Sequence, residues 1–112
     1  MLQTPNKHTK ALLDLADYFD QLDPSDYDQT TYEGCICGHC NHRAGRTECD
    51  SRAARVELGL THQQAARLFS SRGGFRTGPG LFGAVFSIPP TPQDAARCLR
   101  HIAVTGEVPK DW

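Results

Sequence analysis

Four cysteines and two histidines fall within fifteen residues of this 112-residue chain: Cys35, Cys37, His39, Cys40, His42 and Cys49. Such side chains hold soft metal ions or exchange disulfides. A structural zinc site takes four of them in a tetrahedron and commonly begins with two ligands a few residues apart. Cys37-Gly38-His39-Cys40 has that spacing, with Gly38 allowing the tight turn, and Cys49 with Cys35 or His42 would complete the set. Cys35, Cys37, Cys40, His42 and Cys49 are therefore the candidate ligands for one structural zinc ion. The match is partial, because the second half of the cluster has no closely spaced pair of its own.

A dithiol reading rests on the tetrapeptide CGHC, the sequence at the active site of protein disulfide isomerases. That chemistry wants a thiolate at a helix N-terminus, with a strand before the motif and a βαβ setting around it. The preceding DPSDYDQTTYEG is a poor strand, no aromatic residue immediately precedes Cys37, and Asn41 and His42 follow where a long helix should run. Haem attachment through CxxCH fails outright, since Asn41 stands where the histidine is required. Structural thiols remain as a third reading, so zinc and scaffold are both left open. Elsewhere the chain has no nucleophile elbow, phosphate loop or HExxH, and a catalytic role is not expected.

The elements that must position this cluster read as helices. Ala11, Leu12, Leu15, Ala16, Phe19 and Leu22 form one stripe of helical period over residues 6–22, which Pro24 ends. Residues 27–50 have no clear period and read as an irregular Cys/His-rich segment. SRAARVELGL predicts a helix capped by Asp50 or Ser51 and ended by Gly59. Thr61 and Gln64 make a capping-box pattern ahead of Ala65, Leu68 and Phe69. A glycine-rich loop or short strand follows, with Leu81, Phe82, Val85, Phe86 and Ile88 expected to fill core. Thr91, Pro92, Asp94 and Gly106 delimit the last helix, whose stripe is Ala95, Cys98, Leu99, Ile102 and Ala103. Cys98 reads as a small core residue, and Trp112 as a lid over an edge. The expected fold class is mainly α, a single domain over residues 1–112.

Charged residues make up 22% and hydrophobic residues 38%, a globular composition on the polar side. No apolar run approaches the roughly 20 residues needed to cross a bilayer, and Asp14 and Asp17 interrupt the best apolar segment near the N-terminus. No membrane association is expected, and a cytoplasmic location is. Net charge is −1, yet the first third is acidic, from Asp14 to Glu33, and the middle is basic, with Arg43, Arg46, Arg52, Arg55, Arg67, Arg72 and Arg76. Such asymmetry more often marks complementary faces of one fold than a nucleic-acid surface.

Read in order, CGHCNHRAG, LGLTHQQAARLF and PTPQDAARCLRHIAVTGEV resemble a group of small uncharacterised proteins of actinobacteria and their phages. Their pattern is C-G-T-x-x-C-x-A-G, then L-G-L-T-x-x-Q-A-x-x-L-F, then a terminal helix with P-T-x-x-x-A-A. Cys37, Gly38, Ala44 and Gly45 match the first block, and Leu58 through Phe69 the second. The chain departs at His39, Cys40 and His42, the last standing where that group has its second cysteine. Exchanging Cys for His keeps a metal ligand but removes a disulfide partner. The resemblance carries no activity with it. The expectation is a small non-enzymatic accessory or regulatory protein acting through contacts with a host protein or its own copies. A nucleic-acid-binding module using Arg67, Arg72 and Arg76 is the alternative, and thiol redox through Cys37 and Cys40 comes last.

Overall fold

Among the described residues, five α-helices, one 3-10 turn (Pro24–Asp26) and one β-hairpin follow one another: α1 (Lys7–Gln21), α2 (Ile36–Arg43), α3 (Ser51–Leu58), α4 (His62–Leu68), β1 (Arg76–Pro79), β2 (Val85–Ile88) and α5 (Pro92–Thr105). The computed structural model describes residues 7–31, 34–48, 50–79 and 85–112. Cys49, Leu81 and Phe82 therefore lie outside the described residues. The fold class is mainly α, as the apolar periods predict.

The two long amphipathic helices form the main packing unit, with α1 lying chiefly against α5. Leu12, Leu15, Ala16 and Phe19 of α1 are buried, as are Ala95, Cys98, Leu99 and Ile102 of α5. Fully burying an aliphatic side chain contributes about 1.5–3 kcal/mol, so these two stripes are a large part of the stability. Outside the apolar seam, the Arg100 guanidinium holds the carboxylates of Asp17 at 2.8 Å and Asp20 at 2.5 Å. Among the described residues, Asp17 and Asp20 are thus paired from the last helix and Asp14 with Lys10 of its own helix, and none of the three with the basic middle of the chain. The physical reason is the α1–α5 pairing itself, which brings residues about eighty positions apart onto one seam.

Local signals set the short helices. Asp50 caps α3 by accepting from the Ala53 amide. Gly59 ends it in the left-handed region at φ 68°, with Leu60 N–H bonded to the Arg55 carbonyl and Gly59 N–H to that of Val56. Any Cβ there would lie 2.5 Å from the His8 ring, which adds a steric requirement to the conformational one. Capping boxes at Thr61 with Gln64 and at Thr91 with Asp94 start α4 and α5.

The segment expected to be irregular holds a two-turn helix, α2. Six of its eight residues, Ile36 to Asn41, are buried. A helix buried nearly all round leaves no apolar stripe for a periodicity argument to find. Its residues are also poor helix formers and Cys35 gives it no side-chain cap, so tertiary packing sustains it.

β1 and β2 pair antiparallel, with Arg76 opposite Ile88 and Pro79 opposite Val85. Ile88 is 37% exposed and does not fill core as expected. A two-stranded ribbon has too little surface to bury every apolar side chain on it. The C-terminal segment returns to α4: Arg67 donates to the carbonyls of Pro109 at 2.7 Å and Trp112 at 3.4 Å. Gln64 donates to that of Gly106 at 2.6 Å. The Trp112 indole closes over Gly73 and Gly74, and a Cβ on Gly74 would meet that ring at 2.7 Å.

Candidate functional site

The cysteine cluster is built around α2. Cys35 occupies the N-cap position, Cys37 lies in the first turn and Cys40 one turn on, and all three side chains are buried. His42 is exposed on the last turn, and Cys49 is outside the described residues. Among the described residues, no group of three or more His, Cys, Asp or Glu is placed to hold a metal ion.

Each of the buried polar groups here has work within the fold. The Cys40 Sγ donates to Glu57 Oε2 at 2.9 Å, across to α3. Burial, and then the adjacent carboxylate, push its thiol pKa up to about 12. Asn41 donates to the Cys37 carbonyl at 3.0 Å and the Asp50 carbonyl at 3.2 Å, and lies 3.5 Å from the Cys37 sulfur. Arg46 returns to Asn41 Oδ1 at 3.0 Å, closing the loop after α2 back onto the helix.

His39 is placed by aromatic packing. Its Nε2 donates to the Asp26 carbonyl at 2.8 Å, which makes Nδ1 the acceptor for the Tyr18 hydroxyl at 2.8 Å. The ring stacks on Tyr27 and meets Phe19 edge-on, with centroids 6.1 and 5.4 Å away. Burial lowers its pKa, which favours the neutral ring this bonding requires. Arg43 lies over the outer face of Tyr18, 5.2 Å from its centroid. Neither ring nitrogen of His39 is open to a ligand in this arrangement.

Thiol exchange would need a depressed thiol pKa, an exposed sulfur and a strand leading into the motif. The geometry around Cys40 has the opposite electrostatics. The strands among the described residues form a separate antiparallel hairpin, far along the chain from the motif.

The arginines of the middle region have unequal fates. Arg67 is committed to the C-terminal carbonyls, and Arg76 to Asp94 at 3.2 Å. Two of the three arginines expected to touch phosphate are therefore bound within the fold. Arg52 and Arg72 have no side-chain partner among the described residues, and Arg55 gives one Nη1 to the Leu60 carbonyl at 3.2 Å.

A cleft of about 640 Å³ opens between the loop before α2, the helix α3 and the helix α4. Arg52, Arg55 and His62 line it, with Phe69 and the hydroxyls of Ser51 and Ser70. Its wall is held by Gln29, whose buried Nε2 donates to the carbonyls of Leu68 at 3.1 Å and Ser70 at 2.6 Å while its Oε1 accepts from Tyr27. Neither the cleft nor Gln29 is visible in sequence periodicity. The only linear trace is a pair of arginines one helical turn apart followed by His62.

No family model, curated protein or solved structure matches the chain.

Proposed function

We propose that the protein is a small binding protein that acts through contacts with another protein and catalyses no reaction of its own. The β1–β2 ribbon carries this reading. Its two strands pair only with each other, so each leaves an outer edge of backbone donors and acceptors without a strand beside it among the described residues. Such an edge accepts a strand from a partner, and main-chain hydrogen bonds then supply affinity. Ile88, exposed at the end of β2, offers an apolar contact beside that edge. The raised Cys40 pKa supports the same reading, since a thiol held protonated by burial is a poor nucleophile.

The actinobacterial or phage setting implied by the sequence resemblance supplies the lysate in which to test it. Full-length bait should capture one protein stoichiometrically. Ile88→Lys, which places a charge on the edge strand, should lose that capture while helical circular dichroism is unchanged. Absence of any partner at micromolar bait, or capture indifferent to Ile88→Lys, would count against the proposal. Steep salt-dependent retention on DNA would replace it with the nucleic-acid reading.

A further inference from the structure

The cleft between α3, α4 and the loop before α2 has a chemistry that the strand-edge reading does not use. Its charge is one-sided: Arg52 and Arg55 line it beside the His62 ring, and none of the described lining residues is a carboxylate. Several arginines elsewhere are paired with carboxylates, Arg100 with Asp17 and Asp20, Arg76 with Asp94, and Arg46 with Glu57. Arg52 and His62 have no partner among the described residues, and the bond to Leu60 leaves Arg55 most of its five donors. Asp50, the nearest carboxylate along the chain, is turned to the Ala53 amide as the cap of α3.

Hydroxyls sort in the same way. Thr30 gives its proton to Asp28 at 2.6 Å, and Thr31 bonds back to the Asp28 carbonyl at 3.3 Å. Ser51, Ser70 and Ser71 line the same space and donate to no acceptor among the described residues, the Ser70 hydroxyl accepting from the Arg72 amide at 3.2 Å. Two guanidiniums, an imidazole and three serine donors suit the three acceptor oxygens of a phosphate better than the two of a carboxylate. Along α4 from His62 the lining is apolar, made by Ala65, Ala66 and Phe69. A volume of about 640 Å³ is of the size that takes an organic molecule and far exceeds what a bare anion fills.

We propose that this cleft binds a phosphate monoester carried on a flat apolar body, with the phosphate at Arg52, Arg55 and His62 and the body against Phe69. The inference is independent of the strand edge, because the ribbon contributes no residue to the cleft.

Phenyl phosphate is the probe, titrated into ¹⁵N-labelled full-length protein beside inorganic phosphate, benzoate and phenol. Phenyl phosphate should saturate one site and move amide signals of residues 51–55, 62 and 65–71. Its affinity should exceed that of each other probe by at least about tenfold, the worth of one charge-assisted hydrogen bond. Arg52→Gln and His62→Gln should each weaken it by about tenfold with an unchanged unfolding midpoint. Lys110→Gln, at an exposed cation outside the cleft, should bind as the unaltered chain does. Equal binding of benzoate would overturn the assignment to phosphate, and equal binding of phenol the assignment to an anion. Non-saturable shifts, or equal loss in Lys110→Gln, would reduce the effect to bulk electrostatics and overturn the site.

Discussion

The Cys40 thiol and the Glu57 carboxylate meet at 2.9 Å between α2 and α3, the sulfur donating and the carboxylate accepting. A motif that resembles a redox pair on paper is thereby held in its protonated form, because an ionised sulfur would face a like charge in a buried setting. Alkylation of Cys40 at pH 8, followed by peptide mapping, should be much slower in the folded chain than in denaturant. Glu57→Gln removes the second-largest cause of the raised pKa and should accelerate it severalfold, with burial still holding the rate below that of the unfolded chain. A rate indifferent to Glu57→Gln would show that burial alone sets the reactivity.

Metal content tests the same geometry. Cys40 is engaged by Glu57, His42 faces outward, and the described residues bring no three ligands together. If Cys40 stays with Glu57 in solution, chelator should leave the unfolding midpoint unchanged and elemental analysis of protein purified without chelator should find no stoichiometric zinc. About one zinc per chain with unfolding on chelation would instead mean that Cys49 joins the residues of α2 in a structural site.

Cys98 supplies a pH dependence. Burial raises its pKa from 9.0 to about 12. Between those values the unfolded chain releases a proton that the folded chain keeps, so its contribution to stability is full below pH 9 and is lost as pH rises towards 12. Cys40 and Tyr27 act with the same sign. Urea unfolding at pH 7, 9 and 10 should show stability falling across the upper interval, each raised group adding up to about 1.4 kcal/mol per pH unit. Cys98→Ala should be less stable at pH 7 but decline less steeply. An unchanged slope would assign the alkaline loss to other groups.

Gln29 is the buried polar residue on which the cleft wall depends. Gln29→Leu leaves the Tyr27 hydroxyl without its acceptor, while the Ser70 carbonyl retains the Gly73 amide at 2.9 Å and that of Leu68 the Trp112 indole N–H at 3.4 Å. One buried hydroxyl left unpaired should cost about 1–3 kcal/mol in chemical unfolding. A loss below about 0.5 kcal/mol, within the range of an ordinary surface change, would mean that water takes over the lost bond.

By itself the sequence determined the pieces whose causes are local. Apolar period gave α1 and α5 their buried faces, and cap chemistry at Asp50, Thr61 and Thr91 and the stop at Gly59 set the ends of α3, α4 and α5. Each of these acts within about one turn of chain. Tertiary structure decided what depends on residues far apart. It placed CGHCNHR on a helix buried almost all round, which has no periodic signature. It matched Asp17 and Asp20 with Arg100, and Cys40 with Glu57. It also divided the arginines, drawing Arg67 and Arg76 into the fold and leaving Arg52 and Arg55 at a cleft. Charge and burial operate through space, so no reading of residue spacing along the chain could have assigned those roles.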